Sequence, residues 1–189
     1  ISPYLRTLST QIIEEFMLLA NETVAETFAY ADIPFIYRVH TNPEEAKAEK
    51  FFSFARGLGL KVNKQNFDTN SYVSILKQVE NTDVEPVMNR IMLRSMQKAE
   101  YRAENIGHFG LASKFYCHFT SPIRRYPDLA IHRIIKKYLH GELNSLNMDK
   151  LKEFTVNAAS QSSKMERAAD LAEREADDLK KAEYMANKI

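Results

Sequence analysis

Cysteine is almost absent from this chain: only one of its 189 residues is cysteine, and there is no tryptophan. A single thiol excludes an intrachain disulfide, and this cysteine usage is typical of proteins from a reducing compartment. No apolar run approaches the roughly 18–20 residues of a membrane-spanning helix, and the sequence has no secretory signal. No internal repeat or low-complexity segment is present. We therefore expect a soluble, cytoplasmic protein with no membrane attachment.

The remaining composition is that of a globular chain whose basic charge lies in one segment. Apolar residues make up 44% of the sequence, enough for a core, and residues 1–189 are expected to form one domain or a large part of one. Residues 90–140 contain 10 Lys and Arg against 3 Asp and Glu, although the net charge of the chain is only +1. Aromatic residues are interleaved with this charge, among them Tyr101, Phe109, Phe115, Tyr116, Phe119 and Tyr126. Basic charge interleaved with aromatic residues favours a nucleic acid as a partner, because bases stack on rings; a solvated charged face with the aromatic residues packed in the core is the alternative.

Hydrophobic periodicity predicts a mainly α-helical α+β protein with a few short strands. Helices are predicted at 9–30, from 42 to 57 or 59, at 70–80, 84–99, from about 126 to 140, and at 149–189. The last of these is predicted as two pieces that meet near Ser160–Ser163. Strands are predicted at 35–40, 101–105 and 115–119.

Two helices carry apolar faces with helical spacing. In the first helix the stripe consists of Ile12, Ile13, Phe16, Leu19, Val24 and Phe28. In the last helix, Met165, Ala169, Ala172, Ala176, Leu179 and Ala186 form a seam of mostly small residues. We expect this seam to dock within its own domain, so an oligomer is not expected; a coiled-coil dimer is the alternative.

The stretch 107–140 contains the densest group of functional residue types, including two adjacent arginines and four of the five histidines. Thr120-Ser121-Pro122 is typical of a cap followed by proline at a first helical position, and Pro127 repeats the signal. A short turn is therefore predicted to lead into the helix that starts near Tyr126. Hydroxyls, backbone N–H groups and a helix start would then lie beside Arg124 and Arg125, as an anion such as phosphate requires. A surface arginine pair after an ordinary cap is the alternative.

Three further patterns have two interpretations each. In the strand at 35–40, Phe35 and Tyr37 face one way and Arg38 and His40 the other, which predicts either one wall of an RNA channel or a packed aromatic face. Asp128 and His132, spaced i, i+4, are interpreted as a structural pair rather than as two metal ligands. Cys117 is interpreted as a small packed hydrophobe rather than a nucleophile.

The strings GHFGLA at 107–112, HFTSPIRRYPDL at 118–129 and HR at 132–133 closely resemble the signature of the RNB family of exoribonucleases. The resemblance extends to ANETVAE at 20–26, PFIYRVH at 34–40, the Ala-Glu-Tyr run at 99–101 and the segment 165–185, and so covers nearly the whole chain. It implies a processive, hydrolytic, metal-dependent 3′→5′ exoribonuclease that threads single-stranded RNA to a buried site and releases nucleoside monophosphates.

The resemblance also implies roles for individual residues. Arg124 is expected at the scissile phosphate, with a catalytic role. Contact with RNA is expected from Tyr37, Phe35, Arg38, His40, Ser121, Arg125 and, in the AER motif of the last helix, Glu173. For Arg125, a side chain turned into the structure is the alternative. For Glu173, an exposed helical carboxylate paired with nearby basic residues is the alternative.

The family's metal-binding aspartates form a compact cluster upstream of the PFIYRVH segment, and no aspartates of this chain have that spacing. The chain is therefore expected to be the C-terminal part of an RNB domain, inactive by itself, in a parent enzyme that uses Mg²⁺ held by ligands outside residues 1–189. Its expected partners are single-stranded RNA and the missing N-terminal half of the domain. A catalytically silent RNA-binding or scaffold protein of the same fold is the main alternative, and a helical protein-interaction module built on the 165–186 seam is a weaker one.

Overall fold

The computed structural model describes residues 6–62, 67–186 and 188, without the side chains of Ser145 and Leu146. The described part of the chain is mainly helical, as the periodicity predicts. Its helices are α1 (Leu8–Tyr30), α2 (Glu45–Gly57), α3 (Thr69–Val79), α4 (Glu85–Ser95), α5 (Tyr126–Leu139) and α6 (Ser145–Ala186). Two short strands, β1 (Tyr37–Val39) and β2 (Glu100–Arg102), form a two-stranded sheet. The predicted α+β class, dominated by helices, is thus confirmed.

The chain divides into two compact units. The first, called here the turn unit, contains residues 6–37, 101–105, 117–186 and 188, and includes α1, α5 and α6. α5 turns Ala130, Ile131 and Ile134 inward, and α6 contributes a second row of buried residues, Leu151, Thr155, Ala158 and Ala159. These rows follow helical spacing, so one face of each helix is removed from water.

Helix α6 continues without a break through Ser160–Ser163, so the predicted division into two pieces is wrong. Ser162 and Ser163 are buried. The hydroxyl of Ser163 accepts a hydrogen bond from the Tyr101 N–H at 2.8 Å and donates one to the Tyr101 carbonyl at 3.2 Å. The polar side chain is therefore satisfied by a neighbouring segment rather than by a helix end.

The second unit, called here the clasp unit, contains residues 38–62, 67–100 and 106–116. Helices α2, α3 and α4 surround an aromatic core in which Phe51, Phe52 and Tyr72 are buried. The Phe51 and Tyr72 rings stack with centroids 4.9 Å apart. Each such ring buries roughly 150–250 Å², so these rings supply much of the apolar burial of a unit this small.

Two apolar faces that the sequence pattern places inside are exposed instead. On α1 only the C-terminal end of the stripe is buried, at Phe28, whereas Ile12, Ile13 and Leu19 are exposed and Phe16 is 64% exposed. On α6 the seam is also open, and Met165 and Leu179 are exposed. Within the described residues nothing covers the α6 seam or the N-terminal part of the α1 stripe, and docking of the seam inside its own domain stays a prediction.

Helix α6 has 42 residues but a polar surface along most of its length. Across the ranges 6–62 and 67–186, no helix is both long enough and apolar enough to cross a membrane.

Candidate functional site

The predicted turn before α5 is present in the turn unit. The backbone N–H groups of Arg124 and Arg125 point to the Ser121 carbonyl, at 3.4 and 3.1 Å, and α5 begins at Tyr126. Pro127 lies in the first turn of α5, where its missing N–H removes no helical hydrogen bond. The prolines and the short turn thus set the point at which the chain enters α5.

A buried carboxylate anchors this turn. Asp128 is fully buried, and its Oδ1 accepts hydrogen bonds from the Ser121 N–H at 2.8 Å and from the Arg125 Nη2 at 2.8 Å. The Arg125 side chain is 20% exposed. Within the described residues, Oδ2 of Asp128 and Nε of Arg125 are buried without a hydrogen-bond partner. The carboxylate therefore depends on two donors that both belong to the turn.

The two adjacent arginines consequently differ. Arg125 is directed inward to Asp128, whereas Arg124 is exposed. The anion beside the Ser121 N–H is the chain's own Asp128 carboxylate, so this donor is already used. Arg124 is the member of the pair that can reach a phosphate from outside.

The segment before the turn is fixed by side chains that are distant in sequence. The Asn21 side-chain oxygen accepts from the Phe119 N–H at 2.9 Å, and the Asn21 carbonyl accepts from the Cys117 thiol at 3.2 Å. His132 donates from Nε2 to the Phe119 carbonyl at 3.0 Å, because a carbonyl can only accept. Its ring also stacks on Phe119, with centroids 4.4 Å apart.

Two predictions about this region are therefore wrong. Residues 115–119 are not a strand: the Tyr116 carbonyl accepts one backbone hydrogen bond, from the Arg38 N–H at 2.9 Å, but the Phe119 N–H and carbonyl bond to side chains, so no ladder continues. His132 is oriented by Phe119, and Asp128 by Ser121 and Arg125, so the predicted pair of Asp128 with His132 does not form.

Cys117 is buried, as a small packed hydrophobe should be. Burial, together with the nearby Asp128, raises the pKa of its thiol well above the usual value. The thiolate is the reactive form of cysteine, so the interpretation of Cys117 as a packed residue is confirmed.

Phe35 and Tyr37 are buried in the turn unit. Phe35 stacks on Phe28 with centroids 4.8 Å apart and lies 5.6 Å from the Tyr37 ring. Burial, with smaller contributions from Cys117 and Asp32, raises the pKa of Tyr37 to about 12. These contacts form the packed aromatic face that the strand pattern allows, and base stacking by either ring stays a prediction.

In the clasp unit, residues 107–113 close around His40. The His40 Nε2 donates to the Gln97 carbonyl at 2.7 Å, and its Nδ1 accepts from the Gly110 N–H at 3.0 Å. The His40 backbone bonds to Gly107 and Phe109 on either side. A Cβ placed on Gly110 would lie 2.8 Å from the His40 Nδ1, so only glycine fits this approach.

A second histidine, His108, packs against His40. The His108 ring lies 5.2 Å from the His40 ring and 5.3 Å from Tyr116. Burial, then repulsion from His40 and from Arg38, lowers the pKa of His108 to about 4. Its Nδ1 accepts from the Leu111 N–H at 3.2 Å, which also requires the neutral ring.

The predicted site residues fall into separate groups. In the turn unit, Ser121 and Arg125 both bond to Asp128, and the Phe35 ring packs against the Tyr37 ring. The clasp unit contains His40 and Arg38, both half-buried. Glu173 is exposed on α6, at a part of the helix with no described contact to the turn.

Sequence reasoning missed the role of Asp128 as the anchor of the turn and of Asn21 as its second support. The i, i+3 spacing of Arg125 and Asp128 across a helix start was an available signal for the first. For Asn21 the local signal was a polar residue inside the apolar stripe of the first helix, but nothing local indicated its partner Phe119, which lies 98 positions away.

The described residues do not fit a catalytic metal site. Within the ranges 6–62 and 67–186, no group of three or more His, Cys, Asp or Glu side chains could hold a metal ion. The buried Asp128 is engaged by Arg125 and cannot add to such a group without losing that partner.

Comparison with known proteins identifies the family. The family model described as "RNB domain" matches residues 1–141. The chain is 43% identical to "Ribonuclease R" of Aquifex aeolicus over 190 residues, covering 100% of this chain and 27% of that protein. It thus spans about a quarter of the length of this relative.

Solved structures agree with the sequence relatives. The Mycoplasma genitalium RNase R in complex with ribose methylated single-stranded RNA superposes with a TM-score of 0.85 at 29% identity, over 93% of this chain and 28% of that chain. Yeast Ssd1, described as a pseudonuclease, superposes with a TM-score of 0.67 at 25% identity, over 84% of this chain and 21% of that chain. The family model matches residues 1–141 of this chain, and the chain is similar to ribonuclease R across its whole length. These two findings show that the chain belongs to the RNB domain family.

Proposed function

We propose that this chain is part of a processive 3′→5′ exoribonuclease that hydrolyses single-stranded RNA to nucleoside monophosphates. The observation that carries the proposal is the exposed Arg124 on a turn anchored by Asp128, in a chain 43% identical along its whole length to a ribonuclease R. The similarity to an RNase R that was solved with single-stranded RNA supports the choice of substrate.

Arg124 is proposed to act at the scissile phosphate. A guanidinium can donate two parallel hydrogen bonds to phosphate oxygens and offset the charge that develops in the transition state. Arg125 is held by Asp128, so the turn keeps its shape when Arg124 engages a phosphate. Arg125 and Ser121 are thereby proposed to support the RNA-binding surface through the geometry of the turn.

Other residues are proposed to contact RNA away from the reacting phosphate. In the clasp unit these are Arg38 and His40, which are both half-buried and lie two positions apart in the sequence. In the turn unit they are Tyr37, Phe35 and Glu173. Tyr37 and Phe35 are buried, so stacking on a base would require the packing of Phe35 against Phe28 and of Tyr37 against Phe35 to open.

RNB family nucleases are metal-dependent, and we propose Mg²⁺ as the metal, with ligands from outside the described residues. When bound by those ligands, such an ion would activate water and stabilise developing negative charge. The partner that would bring these ligands is the remaining part of an RNB domain. The exposed apolar stripe of α1 supports this partner, because large unpaired apolar patches on a protein surface mark interaction sites. We further propose a cytoplasmic location and a monomer.

The second candidate is a catalytically silent RNA-binding or scaffold protein. It is favoured by the likeness to Ssd1, a pseudonuclease of the same fold. Such a protein would keep a basic surface and bind RNA without cutting it.

A chimera separates the two candidates. This chain replaces the matching segment of the Aquifex aeolicus ribonuclease R, with which it aligns over 190 residues. Purified chimera is incubated with a 5′-labelled single-stranded oligonucleotide and Mg²⁺. The enzyme proposal predicts stepwise shortening from the 3′ end and release of monophosphates, with the same chimera carrying Arg124→Ala as the control.

A folded chimera that binds the oligonucleotide but leaves it uncut would contradict the enzyme proposal and support the binding protein. A folded chimera that does not bind RNA would contradict both. The chain alone is expected to leave the oligonucleotide intact.

A further inference from the structure

A cavity of about 340 Å³ lies in the turn unit between the second half of α5 and the first turns of α6. Its inner wall is apolar: Ile134 and Leu151 are buried, and the half-buried Phe154 adds an aromatic ring. Its rim carries Arg133, Lys137 and Lys150, against a single carboxylate from Glu142. None of these residues is among the site residues predicted from the sequence, and none contacts the turn at 121–125 or His40 in the hydrogen bonds given above.

The wall of the cavity is held in place by hydrogen bonds. The Glu142 N–H donates to the Lys137 carbonyl at 2.9 Å, and the Asn147 side chain donates to the Glu142 carbonyl at 3.0 Å. The Asn147 N–H in turn donates to the Asn144 side chain at 3.0 Å. The loop between α5 and α6 is thus tied to both helices, and the cavity is a shaped feature rather than a gap between loose segments.

The charges of the rim converge on the same space from two helices. Arg133 and Lys137 are spaced i, i+4 and therefore lie on one face of α5, while Lys150 comes from α6. Cations in the second half of α5 would also be favoured by its helix dipole. That explanation does not extend to Lys150, which lies in the second turn of α6, toward the positive end of that helix.

We propose that this cavity binds one nucleotide. Its phosphate is held by Arg133, Lys137 and Lys150, and its base lies against Phe154 and Leu151. A volume of about 340 Å³ is near the lower end of the ~300–1,000 Å³ range of small-ligand pockets, which suits one nucleotide rather than several. Aromatic rings that stack on bases, combined with cations that bind phosphates, are the general means of binding single-stranded nucleic acid without sequence preference, and one ring with one cluster of cations matches one nucleotide.

The identity of the ligand as a nucleotide rests on the proposed function, since an RNA-degrading enzyme meets nucleotides in two forms. One is a free nucleoside monophosphate, the product of hydrolysis. The other is a single residue within an RNA strand. Both present the same phosphate, sugar and base to the cavity.

The test is a titration of the full chain with uridine 5′-monophosphate, followed by NMR shifts of the backbone amides. We expect shifts at the end of α5 and the first turns of α6, weaker binding of ribose 5-phosphate, and no binding of uridine. Lys137→Glu removes a charge-assisted contact and should weaken binding of the monophosphate about tenfold or more. Lys136→Glu changes the charge equally on the neighbouring residue, which does not line the cavity, and should change the affinity less than twofold.

Both substituted side chains are exposed, so both variants are expected to fold, and Lys150→Glu provides an independent second variant. A pentauridylate that binds more tightly than the monophosphate, with the same shifts, identifies an RNA residue as the ligand; equal or weaker binding identifies the free nucleotide.

The proposal is overturned if inorganic phosphate shifts the same amides as strongly as the monophosphate. It is overturned equally if Lys136→Glu weakens binding as much as Lys137→Glu does. Failure here is distinct from failure of the proposed function, because a chimera without nuclease activity would leave nucleotide binding by this chain unchanged.

Discussion

Replacing Asp128 with asparagine should destabilise the turn unit strongly, because Asp128 supplies the only charge that faces Arg125 in the described contacts. Asparagine is nearly isosteric and keeps an oxygen that can accept from the Ser121 N–H. What it removes is the negative charge at 2.8 Å from the Arg125 Nη2. The guanidinium would then stay largely buried without a counter-charge.

The magnitude follows from the burial of the pair. Removing one partner of a buried ion pair typically costs about 3–5 kcal/mol. Asp128 is fully buried, but Arg125 retains 20% exposure and can be partly solvated. We therefore expect about 3 kcal/mol for Asp128→Asn, at the lower end of that range.

The assay is urea denaturation followed by circular dichroism, with Arg124→Ala as the matched control. Arg124 lies on the same turn but is exposed, so its removal should change the free energy of unfolding by less than about 0.5 kcal/mol. Hydrogen exchange of the Ser121 amide gives a local readout, since this N–H lies in the anchored turn and should lose protection when loss of the charge pair lets the turn open.

A double-mutant cycle with Arg125→Met isolates the pair. If the charge pair is responsible, the double variant should lose less stability than the sum of the two single variants. Additive losses, or equal effects of Asp128→Asn and Arg124→Ala, would refute the reasoning.

Three further outcomes follow from local geometry. The pKa of His108 is lowered from 6.5 to about 4, so the neutral ring stabilises the fold fully above pH 6.5, and this contribution is lost as the pH falls toward 4. After allowance for the partial exposure of the ring, the contribution to the free energy of unfolding is about 1–2 kcal/mol. His108→Asn should therefore flatten the dependence of the unfolding free energy on pH in that window. Gly110→Ala should lower the free energy of unfolding, measured in urea, by about 1–3 kcal/mol, because its Cβ would lie 2.8 Å from the His40 side chain. Gly57→Ala is the control and should not lower it, because a Cβ at the end of α2 has no atom within 4 Å. Cys117 should react with a thiol reagent only after unfolding, in line with its raised pKa and complete burial, and fast modification of the native chain would contradict its placement.

Periodicity predicted the helices well because each signal is local. The first helix was expected at 9–30 and runs over Leu8–Tyr30. Pro122 and Pro127 placed the start of α5 at Tyr126. The burial of those helices was less predictable. The stripe of α1 has the spacing of a buried face, yet Phe16 is exposed, because burial depends on a partner and no described element supplies one.

The errors at residues 115–119 and in α6 have a common cause. In both places polar groups are satisfied by residues far away in the sequence: Phe119 by Asn21, and Ser163 by Tyr101. A serine cluster inside a helical pattern normally indicates a break, because its hydroxyls compete for the backbone. Only the tertiary partner shows that the hydroxyl is used elsewhere, so neither outcome has a signal in a local window.

The candidate site was predictable in its residue types but only partly in its arrangement. The Thr-Ser-Pro signal correctly predicted a turn that carries two arginines. It did not predict that an internal carboxylate takes the Ser121 N–H and Arg125, because that choice depends on how far Asp128 is buried. The distinction between the inward Arg125 and the exposed Arg124 therefore required the structure.

The central claim is that Arg124 acts on the reacting phosphate, and Arg124→Lys in the Aquifex aeolicus chimera tests it most directly. Lysine keeps the positive charge but loses the planar pair of donors. Loss of one transition-state donor typically costs about 3–4 kcal/mol, or ~10²–10³ in rate, whereas one phosphate contact among many contributes much less to RNA affinity. Single-turnover cleavage and RNA affinity are measured on the same oligonucleotide. The account predicts a fall in cleavage of about 10²–10³ with affinity nearly unchanged; cleavage at the parental rate, or a loss fully explained by weaker RNA binding, would contradict it.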